Sequence, residues 1–105
     1  MSITTSAVAN ATGTAVYTST NGSAITNLTL CNYTASNVTI DLHVVPSGDT
    51  VGNGNIMLDT LTITAHDTYV LYGASEKLLL DNGDFINVIC SSASAVTAIV
   101  SHTAI

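Results

Sequence analysis

The stretch Asn37-Val38-Thr39-Ile40-Asp41-Leu42-His43-Val44-Val45-Pro46 decides the fold class. Val38, Ile40, Leu42 and Val44 fall on one side of an extended chain, and Thr39, Asp41 and His43 on the other. That period of two is the mark of a strand with one face in a core. Pro46 lacks the N–H that a ladder needs, so the strand ends there. Strict alternation is not the three-then-four spacing of an amphipathic helix, and no segment of the chain sustains that helical period.

Outward from this strand, the same alternation returns in short runs. Ala24 to Asn32 is expected as a strand with Leu28 and Leu30 inward, and Phe85 to Cys90 as one with Ile86, Val88 and Cys90 inward. Ala95 to His102 places Val96, Ala98 and Val100 on one side. Thr14 to Thr20, Ile56 to Leu58, Thr60 to Thr64 and Thr68 to Tyr72 are further strands, rich in β-branched and aromatic residues. Asn21-Gly22, Pro46 to Asn55, His66-Asp67, Gly73 to Ser75, Asp81 to Asp84 and Ser91 to Ser94 are turns or loops by composition. Glu76 to Leu80 fits either a helical turn or a short strand. About seven to nine short strands with turn signals roughly every ten residues predict an all-β fold. The expected form is an antiparallel β-sandwich, Ig-like or jelly-roll-like. Residues 1–13 are mostly Ser, Thr, Ala and Asn and are expected as a flexible or partner-ordered arm, with residues 14–105 as the β-sandwich domain.

Composition narrows the function. The 105 residues suffice for one core. Hydrophobic residues make up 47% and charged residues 8%, against about a quarter charged in an average soluble domain. Lys77 is the single Lys or Arg, and seven acidic residues bring the formal net charge to −6. Phosphate backbones are held by Lys and Arg, so neither nucleic acid nor an anionic membrane is an expected partner. The N-terminus has neither a basic start nor an apolar core, so no secretory signal is expected. Cys31 and Cys90 take opposite parity relative to their inward neighbours and are expected as two free thiols.

No G-x-S-x-G motif occurs, and His43 beside Asp41 looks like the polar face of a strand, so no catalytic residues and no enzyme are expected. His43, His66 and His102 match no metal-ligand spacing, and no cofactor is implied. Asp81-Asn82-Gly83-Asp84 lacks the acidic spacing and distal Glu of a calcium loop and reads as a hairpin turn. A polar surface built from Thr, Ser and Asn suits contact with other subunits, because few ions must lose their water. Phe85, Ile89 and Ile99 sit opposite their strands' inward residues. With Ile105, Ile3 and Val8 they form the expected interface. Tyr33, Asp49 and Asn53 form the expected ligand loop, should a ligand be bound.

Three stretches together resemble small structural proteins of tailed bacteriophages. They are Leu30 to Gly48, an Asn, a polar turn, an alternating strand and Pro-x-Gly; Lys77 to Ile86, a Leu-rich hairpin with Gly-Asp; and the closing strand Ala95 to Ser101. The resemblance implies a virion component without catalytic residues, assembled in the host cytoplasm. Its first form is a capsid decoration (cement) protein on the capsid exterior, a homotrimer bound to the major capsid protein or another virion protein. The alternative it implies is a tail- or fibre-associated adhesin that binds host surface glycan.

Overall fold

The computed structural model describes residues 2–8, 13–72, 78–92 and 94–105. Nine strands form: β1 (Ser2–Val8), β2 (Thr14–Thr18), β3 (Ser23–Asn32), β4 (Val38–Val45), β5 (Ile56–Ile63), β6 (Thr68–Tyr72), β7 (Leu78–Leu80), β8 (Phe85–Cys90) and β9 (Val96–Ala104). They make two antiparallel sheets. Sheet I has the order β1-β9-β3-β6, with β7 also paired to β3, and sheet II has the order β2-β8-β4-β5. The pairs β4/β5, β3/β6, β2/β8 and β1/β9 nest inside one another. The chain is thus one long hairpin with β4 and β5 at its tip, rolled until β9 meets β3 and β8 meets β4. This is the connectivity of a jelly roll, and the expected β-sandwich is what the chain forms.

The core lies between the sheets. Sheet I supplies Ile25, Leu28, Leu30, Leu80, Val96, Ala98 and Val100, and sheet II supplies Val16, Val38, Ile40, Leu42, Ile63, Ile86, Val88 and Cys90. Each fully buried Leu or Ile contributes roughly 1.5–3 kcal/mol over an exposed one. The inward parity expected for the strands around Leu28, Ile40, Val88 and Ala98 is observed. Cys90 is buried, Cys31 is half-buried, and both are free thiols.

Three sequence expectations are corrected, and one open alternative is resolved. First, part of the supposed arm is a strand: Ser2–Val8 pairs with Val96–His102 over seven residues without a register shift. Its Ile3, Thr4, Thr5 and Val8 are β-branched and suit a strand, although it has too few apolar residues to stand out in the sequence. Residues 9–12 lie outside the described residues. Second, Ile56 to Leu58 and Thr60 to Thr64 are one strand, β5. Thr60 takes φ 51 at its middle, and the pairing with β4 shifts there. Third, of the two forms open for Glu76 to Leu80, Leu78–Leu80 takes the short strand, while Gly73 to Lys77 lie outside the described residues. Fourth, Asp81 to Asp84 closes no hairpin, because β7 pairs in sheet I and β8 in sheet II. The turn at Asn21-Gly22 likewise carries the chain from β2 in one sheet to β3 in the other. Asn21 (φ 63) and Gly22 (φ 93) both take the left-handed conformation that these residue types tolerate best.

Candidate functional site

The outer face of sheet I is the most distinctive surface. Its five strands contain no Asp, Glu, Lys or Arg. Ile99 lies opposite Thr29, and Thr29 opposite Val70, so Ile99 and Val70 flank Thr29 across three neighbouring strands. Ile99 is 38% exposed, Val70 54%, Leu79 66% and Ile3 68%. The half-buried Cys31 lies between Thr97 and Thr68 one row further along. The face is therefore a flat field of aliphatic groups among Thr, Ser and Asn. Alternation explains it. These residues have the opposite parity to the buried Leu28, Leu30, Ala98 and Val100.

Sheet II turns a different face outward. Asp41 and Asp59 lie on its strands. Asp41 was read, with His43, as part of a strand's polar face. Its Oδ1 accepts a hydrogen bond from the Thr60 N–H at 2.7 Å, which holds the irregular turn of β5. His43, expected on a solvated face, is only 4% exposed. It lies between Asn87 on β8 and Ile56 on β5, and Asn87 is itself 6% exposed. Close approach of β2 helps bury Asn87. Gly13, just before β2, takes φ 115, a conformation that favours glycine, and a Cβ there would stand 2.6 Å from Asn87 Nδ2. Among the described residues, His43 Nδ1 and Asn87 Nδ2 have no hydrogen-bond partner. Phe85 and Ile89 share this face and are half-buried.

Two concavities lie at one end of the sandwich. The first, about 410 Å³, is lined by Pro46, Asp49, Thr50, Gly52, Gly54 and Asn55, together with Val44. Asn55 organises it by donating from Nδ2 to the Thr50 carbonyl (2.9 Å) and accepting at Oδ1 from the Gly52 N–H (3.2 Å). The second, about 420 Å³, is lined in part by Tyr17, Thr20, Ser23 and His102. Here Tyr17 Oη and Ser23 Oγ are 2.6 Å apart, the Ser19 hydroxyl donates to Ser23 Oγ at 3.0 Å, and the Tyr17 and His102 rings lie 4.4 Å apart. Ser23 is thus tied to Tyr17 and Ser19, and His102 Nδ1 reaches Tyr17 Oη at 3.4 Å. This arrangement orders the mouth of the core.

The expected site residues do not converge. Ile3 and Ile99 lie on sheet I, Phe85 and Ile89 on sheet II, and Ile105 packs over Gly22 at the end of the chain. Val8 is paired with Val96, and its side chain lies outside the described residues. The ligand loop divides too. Asp49 lines the first concavity, and Asn53 is exposed beside it. Tyr33 stands at the opposite end of the sandwich, where its hydroxyl donates to the Ser94 carbonyl and its N–H to the Ala95 carbonyl. Val70 and Leu79 escaped the sequence reading because Thr68 to Tyr72 and Leu78 to Leu80 are apolar at both parities.

Among the described residues no three His, Cys, Asp or Glu side chains gather as a metal site. No helix among them is long and apolar enough to cross a membrane. No family model, no curated protein and no solved structure matches this chain.

Proposed function

We propose that this chain is a non-enzymatic structural subunit of a virus particle, docking onto another virion protein through the outer face of sheet I. One observation carries the reading: five strands hold no charged residue while exposing Ile3, Val70, Leu79 and Ile99. Aliphatic groups on such a face gain from burial at about 25 cal/mol per Å². No carboxylate or ammonium there has to be stripped of water. Interface cores are depleted of charge in the same way.

The jelly roll agrees with this role, since viral capsid proteins use it, but lectins and cupins use it as well. A net charge of −6 repels packaged nucleic acid and favours a place on the outside of a shell. Within the proposal, decoration of a tailed-phage capsid remains the first form, with the major capsid protein as partner. The glycan-binding alternative has less support, because Tyr33 and the 46–55 loop form no common site. The test is co-sedimentation of the full chain with undecorated capsids of the virus that encodes it. Saturable binding that persists in 0.5 M salt is expected, because apolar burial is not screened. Binding that vanishes at that salt, or never occurs, overturns the proposal.

A further inference from the structure

Four edges bound the two sheets, and three of them are interrupted. β2 is five residues long and shifts register between Ala15 and Tyr17. β5 shifts register twice against β4, bends at Thr60 and carries Asp59. The far edge of sheet I is split into β6 and β7, of five and three residues, joined by a segment that contains Glu76 and Lys77. Short lengths, bulges and charges of this kind keep an edge from pairing with another chain. β1 has none of them. It runs seven residues in unbroken register with β9, without Pro or charge.

From this contrast we infer that the free edge of β1 pairs antiparallel with β1 of a second copy, giving a two-fold dimer. The occupant follows from the strand itself, which is uncharged and can be its own antiparallel complement. Two chains of net charge −6 repel each other, and the stretch Ser2–Val8 lets their backbones meet with no opposed carboxylates. An antiparallel pair of identical strands is self-complementary and closes after two copies. Pairing all seven residues sets Ser2 opposite Val8 of the copy and Thr5 opposite Thr5. The two-fold axis then stands perpendicular to the sheet. The two sheets I become one, with both uncharged outer faces on the same side. The dimer is two-fold, in place of the trimer that the phage resemblance implies. It does not depend on the shell-docking proposal and forms without any shell.

Sedimentation velocity on the full chain tests it, with no other component present. The wild type is expected to sediment at twice 10.7 kDa. Thr5→Glu and Thr5→Lys, each placing like charges directly opposite one another, are expected to sediment as monomers. Their equimolar mixture is expected to recover the dimer. A wild type that is monomeric or trimeric, or folded Thr5 variants that stay dimeric, overturns the inference. Should those variants lose their fold, amide exchange on the wild type decides. A paired β1 protects consecutive amides, whereas a free edge protects only every second one. The alternating pattern contradicts the dimer.

Discussion

Sheet I and sheet II share one core and present opposite exteriors. Inward, the two are alike: Ile25, Leu28 and Leu30 on one side meet Ile40, Leu42 and Val88 on the other, all at or near zero exposure. Outward, sheet I has no ion on its strands. Sheet II carries two Asp and two buried polar side chains, His43 and Asn87. The difference teaches that alternation in these strands serves two ends. One parity builds the body, and the other determines what each face of the body can touch.

The largest expected effect is where the sheets are equal. Ile25→Ala in sheet I and Leu42→Ala in sheet II should each cost about 2–5 kcal/mol in urea denaturation, since both leave a cavity in the shared core. A cost confined to one sheet would break the symmetry claimed for the interior. Next comes Asn32, fully buried at the end of β3. Its Nδ2 donates to the carbonyls of Ser36 (2.8 Å) and Ile63 (3.0 Å), and its Oδ1 accepts from the Thr34 N–H (3.0 Å). It ties sheet I to the end of β5 in sheet II. Asn32→Ala should cost about 2–3 kcal/mol in the same measurement, because it strands buried backbone groups.

The exteriors should differ in binding. Val70→Asp is expected to leave stability within about 0.5 kcal/mol and to weaken attachment to undecorated capsids at least about tenfold. Thr62→Asp, on the outer face of sheet II, should leave attachment unchanged. Equal losses would erase the distinction between the faces. The smallest effect concerns His43 and Asn87, whose unmet nitrogens offset what their burial gains. Replacing both by Leu should keep stability within about 1 kcal/mol of wild type, seen as a nearly unmoved denaturation midpoint.

Much of the body was legible in the sequence, because parity is a local signal. Val38 to Leu42, Ile86 to Cys90 and Val96 to Val100 announce their inward sides, and the opposed parity of Cys31 and Cys90 follows from the same rule. The partners of each strand were not legible. Asn21-Gly22 and Asp81 to Asp84 are turn chemistry in either case, and nothing local says that they cross between sheets. Of the paired strands, only β4 and β5 are neighbours in the chain. The strand β1 was hidden by its Ser, Thr and Ala composition, and β5 was cut in two by Thr60. Asn32 looked like one more polar residue, since its partners at Ser36, Ile63 and Thr64 are set by the roll of the chain. The candidate surface suffered the same way. Ile99 was recognisable as an apolar residue at an outward position and Ile3 as an apolar residue of the expected arm, but their separation from Phe85 and Ile89 depends on which sheet each strand joins.

Cys31 offers the most direct test of the central claim, because its half-buried thiol sits on the outer face of sheet I while Cys90 is sealed in the core. The rate of Cys31 alkylation by iodoacetamide should be measured on the free chain and on the chain bound to undecorated capsids. At least a tenfold slowing is expected on the shell, with no slowing of a thiol placed by Thr62→Cys in a Cys31→Ser background. Unchanged alkylation of Cys31 on fully occupied shells, with the residue 62 thiol protected instead, would contradict it.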